Sequence, residues 1–288
     1  KKRINLSEPE IMIRLAETRL SWCVMLILVG EGQEIHSGEG GGISLWCEAL
    51  RTHHKNWEIL CPEKLYPLLQ KNTDHAVFSY KEFNLDTSLR SHIASDVSTY
   101  INHIIDGNLD IARSYADSIK KEGFSMLITR NIDVARSYCA NRYKDQASKR
   151  YGLISSSKAS ILKQYKIDNS YSAKSRINIS EWYNTGITNK NSCCNMRDVI
   201  TEFDCQGLEL DFPIICWEDD MLWDGQQWKT SSKYSHHNSE LAHRYRMNSY
   251  RVLLTLGRDG FIIFIPNDKR LDSVYDAFIK AGVEKLGR

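Results

Sequence analysis

The chain has 288 residues, 42% of them hydrophobic, and a formal net charge of +2. That length holds one large or two modest domains with a real core. The composition is that of an ordinary globular protein, and the chain shows no fixed-period repeat, coiled coil or low-complexity tract. With so small a net charge, any affinity for nucleic acid has to come from a local patch. Eight cysteines are scattered without a CxxC or a zinc-like Cys/His spacing, so reduced thiols in a cytoplasmic protein and no metal site are expected. The chain begins Lys1-Lys2-Arg3, without an initiator methionine, and reads as a fragment, a processed piece or part of something longer.

Ser7-Glu8-Pro9-Glu10 predicts a helix start: a serine cap, a proline in the first turn and acids at the positive end of the dipole. The run CVMLILVG (Cys23–Gly30) predicts a strand covered on both faces. It is far too short to span a bilayer, so no membrane partner is expected. It opens into a glycine-rich loop, Gly30–Gly42, at the strand's carboxyl end, where ligands bind in open α/β sheets. A helix over 44–52 and a short strand at Trp57–Cys61 follow.

Residues 85–123 predict two helices around Asp106-Gly107-Asn108. Strand Phe124–Arg130, helix 131–143 and strand Tyr151–Ser157 then give a βαβ rhythm, which argues for a parallel sheet. The stretch 158–195 reads as a polar, loop-rich insert with a helix at Ile179–Asn184. A strand–turn–strand at 199–217, a Trp-, Ser- and His-rich segment (219–238), helix 240–254, strand 261–266 and helix 268–282 complete the chain. Trp217, Trp223 and Trp228 are expected to pack under a loop, and Asp219-Asp220 to be a solvated acidic turn.

Several residues are candidates for chemistry. Gln33 sits past the apolar run among glycines. It fits a flexible loop, and equally an amide placed to contact a terminal phosphate or orient a water. Arg130 ends an apolar strand and fits a surface cation. In TEFDCQGLELD (Thr201–Asp211), Gly207 allows a tight backbone turn between Gln206 and Glu209. NSYRVLLTLGRDG (Asn248–Gly260) carries Leu256 and Arg258 in the turn before a strand. Between Arg142 and Arg176, nine Lys and Arg residues, including Lys149, Arg150 and Lys158, face only Asp145 and Asp168, with Tyr143, Tyr151, Tyr165 and Tyr171 interleaved. Such a run fits a solvated face. It also fits a surface where cations follow a phosphate backbone and rings stack on unpaired bases.

These strings resemble helicase motifs. TEFDCQGLELD resembles motif V and NSYRVLLTLGRDG motif VI of superfamily-one helicases, while the Gln33 loop resembles motif III and the Arg130 slot motif IV. Together with SEPE, LITRNIDVARSY and KRYGLISSSKA, they make the chain similar to the Schlafen-group-three-like DNA/RNA helicase domain family of bacteria, a group of P-loop NTPases. The resemblance implies an α/β fold of RecA-like parallel sheets flanked by helices. It places the remainder of a first lobe at 1–80 and a second lobe at 81–288, with an insert at about 158–195. It implies that Gln33 senses the γ-phosphate, Arg130 and Arg258 contact nucleotide phosphates, and Glu209, beside Gly207, holds the ribose. Thr201 and Gln206 would lie toward nucleic acid or the interdomain cleft. Independently of the resemblance, the basic run offers Lys149, Arg150, Lys158 and Tyr165 as nucleic-acid contacts.

The family's phosphate-binding loop and magnesium-gripping Asp-Glu pair are missing: no Gly-Lys-Ser/Thr occurs here. ATP and Mg²⁺ are therefore expected only if a missing N-terminal portion or another polypeptide completes the site. Motif VI carries an arginine finger directly after its Thr, and here that position is Leu256. The expected function is the motif III–VI portion of a helicase-like ATPase acting on single-stranded DNA or RNA, in DNA metabolism or phage defence by analogy. The alternative is a catalytically degenerate subunit that binds nucleic acid or a partner protein. A nuclease has no carboxylate cluster to support it.

Overall fold

The structure is a computed structural model, and it describes residues 6–19, 22–28, 42–53, 57–84, 92–158, 161–231 and 239–287. The chain divides into two compact units, Lys1–Leu89 and Arg90–Arg288.

In the first unit, helix α1 (Glu8–Glu17) starts as the sequence dictates: Ser7 Oγ accepts from the Glu10 N–H at 3.3 Å, and Pro9 occupies the first turn. Helix α2 (Ile43–His53), strand β1 (Glu58–Cys61), helix α3 (Tyr66–Asn72) and strand β2 (Ala76–Ser79) follow. β1 and β2 pair in parallel, Glu58 opposite Ala76. A small core of Cys47, Cys61 and Leu69 lies between them, with Ile59, Leu65, Tyr66 and Val77 packed against it.

The expected buried strand at Cys23–Gly30 is not what forms. Residues 22–28, the described part of that run, take no regular structure and join no ladder, and Val24 is 83% exposed. An apolar run becomes a buried strand only when neighbours supply both hydrogen bonds and cover. The described elements of this unit, three helices and a two-stranded sheet, do not supply them.

The second unit contains the sheet that organises the molecule's chemistry. Helices α4 (His92–Ile105) and α5 (Leu109–Lys121) flank the expected turn, where Gly107 takes φ +80°. Strand β3 (Ser125–Thr129), helix α6 (Ile132–Arg142) and strand β4 (Tyr151–Ser155) realise the βαβ rhythm. Asn131 caps α6, its Oδ1 accepting from the N–H groups of Asp133 and Val134. Short helices α7 (Tyr171–Lys174) and α8 (Ile179–Asn184) lie in the insert. Then come β5 (Val199–Thr201), β6 (Phe212–Cys216), β7 (Met221–Trp223), β8 (Trp228–Thr230), α9 (Ser239–Leu254), β9 (Gly260–Phe264), α10 (Asp272–Lys280) and β10 (Glu284–Lys285).

Six strands form one all-parallel sheet in the order β10-β3-β9-β6-β4-β5. Every residue of β4, β6 and β9 is buried, as expected of continuous apolar strands with helices on both faces. This is the α/β, RecA-like parallel layer that the sequence predicts. The strand–turn–strand at 199–217 is not a hairpin, however. β5 and β6 lie on opposite sides of β4 and run parallel, so residues 202–211 pass across β4 from the carboxyl end of β5 to the amino end of β6.

The Trp-rich segment is more ordered than its composition suggests. β7 and β8 pair antiparallel around Asp224-Gly225. Trp217 packs 4.0 Å from Tyr250 and 4.9 Å from Phe278 between ring centroids, and the Trp228 indole donates to Ile104 O at 2.7 Å. No helix among the described residues is long and apolar enough to cross a membrane.

Candidate functional site

Because all six strands run the same way, the second unit has an amino edge and a carboxyl edge, and the candidate residues divide between them.

At the amino edge, the segments leading into β6 and β9 are stitched together. Leu210 N–H donates to Leu256 O at 3.2 Å, Arg258 N–H to Leu210 O at 2.9 Å, and Asp259 N–H to Asp211 O at 2.9 Å. This pairing brings Glu209 against Arg258, whose Nε and Nη2 both donate to Glu209 Oε2, at 2.7 and 2.6 Å. That contact raises the affinity of the guanidinium for its proton. The Arg258 side chain stays 56% exposed, so it is open to a ligand. Leu256, two residues earlier, is buried. Gly207 takes φ +79°, in the left-handed region that favours glycine, beside an exposed Gln206.

Lys149 and Arg150 brace this edge from below. Lys149 Nζ lies 2.9 Å from Asp211 and 2.7 Å from Asp259. The Arg150 guanidinium donates to the carbonyls of Tyr183 and Ala147, and its N–H to Asp211. Two of the three cations expected to contact nucleic acid, Lys149 and Arg150, are thus engaged within the fold.

The carboxyl edge holds a buried polar cluster. Ser156 follows β4, Thr201 ends β5 and Glu202 follows it, Asp219 and Asp220 follow β6, and Arg246 and Tyr250 reach in from α9. The Ser156 hydroxyl donates to Asp220 and accepts from Arg246 and from the Lys158 N–H, which uses its hydrogen-bonding capacity in full. Arg246 also lies 3.1 Å from Asp220 and 3.5 Å from Glu202. Tyr250 OH donates to Asp220 at 2.6 Å; burial, then the neighbouring carboxylate, pushes its proton affinity well up. Burial likewise raises the Glu202 carboxyl, against the pull of Arg246 and Ser157. Asp219 pairs with Arg270 at 2.7 Å. The acidic pair expected in a solvated turn is thus buried, because Arg246 and Arg270, far off in sequence, supply its counter-charges.

Thr201 is buried, its hydroxyl donating to Asp204 at 2.7 Å. Arg130, after β3, donates to Pro266 O and to Asp272, both at 2.7 Å, and lies 4.6 Å over the Tyr275 ring. Arg130 and Arg258 therefore stand at opposite edges of the sheet.

The family profile of the Schlafen group 3, DNA/RNA helicase domain matches residues 1–267. The chain belongs to this family. No curated protein matches it.

Membership gives this Schlafen group 3 helicase domain a helicase-like function related to nucleic acid. Within the domain, the structure joins Glu209 to Arg258 and sets Gly207 and Gln206 on the same crossing segment. It does not bring Arg130 to them. Lys158 is exposed, and Tyr165 is half-buried, its ring centroid 5.1 Å from that of Phe264. Gln33 and the rest of its glycine-rich loop up to residue 41 lie outside the described residues. The residues that sequence reasoning missed are Ser156, Glu202, Asp220 and Arg246. The available signal was acids and serines directly after three apolar strands, with an arginine on a later helix.

Proposed function

We propose that this chain forms the motif III–VI portion of a helicase-like, nucleic-acid-dependent ATPase, with its amino edge facing nucleotide. The observation that carries the reading is the direct pairing of Glu209 with Arg258 across the two segments that resemble motifs V and VI. A carboxylate and a half-exposed guanidinium side by side suit one ligand that offers a sugar hydroxyl and a phosphate. In this reading Glu209 accepts from the ribose, Arg258 faces phosphate oxygens, Gln33 senses the terminal phosphate, and Arg130 remains a tie between strand ends. ATP and Mg²⁺ would be held jointly with a phosphate-binding loop from an N-terminal portion or another polypeptide. Lobe closure and reopening would then step the protein along a single strand of DNA or RNA. A setting in bacterial DNA metabolism or phage defence belongs to the same proposal, by analogy alone.

A second reading, a degenerate subunit that binds nucleic acid or a partner without hydrolysis, is favoured by Leu256. A buried leucine neither donates a hydrogen bond nor carries charge where the motif carries its finger.

The test is ATP turnover by the natively purified protein, with whatever polypeptide it carries, in the presence and absence of single-stranded DNA or RNA. Stimulated turnover that is lost in Arg258→Ala supports the first reading. A silent wild type that gains turnover in Leu256→Arg supports the second. A protein that neither turns over ATP nor binds single strands overturns both.

A further inference from the structure

The insert after β4 is not a loose loop. It is sewn to the end of every strand from β9 to β5. Glu218, after β6, accepts from the N–H groups of Ile161 and Leu162 at 2.6 and 2.9 Å. Asn267, after β9, donates its N–H to Tyr165 OH at 3.0 Å. Asn169 donates to Ser156 O, after β4, at 2.9 Å. Lys174 Nζ lies 3.5 Å from the hydroxyl of Thr201, at the end of β5. Leu162 and Ile167 are wholly buried beneath these ties. The insert is a cap over the carboxyl edge, the edge at which open α/β sheets present their ligands.

A cap that closes this edge moves its ligand-facing surface outward, onto the cap itself. Residues 158–176 carry Lys158, Lys163, Lys166, Lys174 and Arg176 against a single acid, Asp168. All but Lys174 are exposed. The four tyrosines interleaved with the basic run do not behave alike. Tyr143 and Tyr151 are buried and stacked on each other, and Tyr165 packs edge-on against Phe264. Tyr171, on the first turn of α7, is 86% exposed. A large apolar ring left in water on a cationic, well-anchored surface serves no packing purpose there, and every nucleobase has a face that can stack on it.

We infer that the cap formed by residues 161–176 with Lys158 is the single-strand contact surface of the second unit, with Tyr171 as its base-stacking platform and Lys158, Lys163 and Lys166 as its phosphate contacts. The inference rests on the nucleic-acid reading of the proposed function and names the surface that serves it. Specificity for sequence is absent from such a site, since stacking and charge accept any base. Duplex, whose bases are already stacked, binds the platform poorly.

The experiment is fluorescence anisotropy of the full chain with labelled oligothymidylate and oligouridylate across a salt series, for the wild type, Tyr171→Ala, Tyr171→Phe and the triple variant Lys158→Ala/Lys163→Ala/Lys166→Ala. Tyr171→Ala is expected to weaken binding about tenfold with an unchanged salt slope. Tyr171→Phe, which keeps the ring, binds as the wild type. The triple variant lowers the magnitude of the salt slope by about 2. Because these side chains are exposed, circular dichroism of all the variants should match the wild type. A wild type that binds either oligomer while Tyr171→Ala and the triple variant bind equally well overturns this surface and leaves the nucleic-acid reading standing. A wild type that binds neither oligomer at low salt overturns that reading and the surface with it.

Discussion

Arg258 holds Glu209 through two nitrogens on one carboxylate oxygen, at 2.6 and 2.7 Å, although the residues are forty-nine positions apart in sequence. The contact exists because the backbone on either side is already paired, Arg258 N–H to Leu210 O and Leu210 N–H to Leu256 O. Exposed ion pairs contribute about 0–1 kcal/mol, so this one is a poor stabiliser, and in the proposed reading its role is to meet the nucleotide. If Arg258 supplies the charge that Leu256 cannot, as the proposed ATPase reading requires, Arg258→Ala should leave the urea midpoint nearly unchanged while lowering single-strand-stimulated ATP turnover by about a thousandfold, the scale of a lost arginine finger. A variant that unfolds early, or one that turns over normally, contradicts the assignment.

Arg246 behaves in the opposite way. Its guanidinium lies within a cluster containing Glu202, Asp220 and Ser156, and neither carboxylate side chain is more than 1% exposed. Removing one partner of a buried ion pair leaves an uncompensated charge, at a cost of about 3–5 kcal/mol. Arg246→Met should show that loss in chemical denaturation. Arg246→Met combined with Asp220→Asn and Glu202→Gln should recover a large part of it. Failure of the combined variant to recover would mean that packing, not charge, is what Arg246 supplies.

How far the sequence reaches is clear from these two sites. The βαβ core was legible because β3, α6 and β4 carry local signals: an apolar run, an asparagine cap and another apolar run. The Glu209 and Arg258 segments were legible as strings. Their meeting depends on β6 and β9 being neighbours, and strand order leaves no local trace. The Arg246 cluster was invisible for the same reason, since its members come from the ends of three strands and one helix. The β7–β8 hairpin had a usable signal, Asp224-Gly225 between Trp-bearing runs, hidden by a polar composition that reads as loop. Cys23–Leu28 misled because a continuous apolar run states a preference for burial, and only neighbouring elements can satisfy it.

Gly260 opens β9 opposite Ser125 of β3. It takes φ +147°, and a Cβ there would sit 2.1 Å from Ser125 O and 2.7 Å from the Phe212 ring. The obstruction is backbone, which cannot step aside as a flexible side chain would. Gly260→Ala should therefore destabilise the second unit by on the order of 3 kcal/mol, read by thermal or urea unfolding. Gly123→Ala is a useful control: it also has positive φ, +96°, but nothing lies within 4 Å of its added Cβ. It should cost only the backbone strain, about 1 kcal/mol. Equal losses at the two positions would show that close approach at the β3–β9 seam is not what matters.

Asp259 gives the amino edge a defined response to acid. Burial works to raise its proton affinity, but hydrogen bonds from Lys149 at 2.7 Å and Tyr143 at 2.8 Å outweigh it and hold the carboxyl below the usual range. A carboxyl lowered in the folded state is ionised there while its unfolded counterpart begins to take up protons, near pH 4. Its stabilisation is complete above that unfolded value and is lost as pH falls through the lower folded one. Asp259→Asn should therefore be less stable than the wild type at neutral pH, and the gap should close as urea unfolding is repeated toward about pH 3. Lys149 keeps Asp211 as a partner in the variant, so the edge should remain folded and the comparison should stay readable. A gap that does not change with pH would mean that Asp259 acts through shape and hydrogen bonding alone, and that the charge of the Lys149–Asp259 contact does not set the acid response.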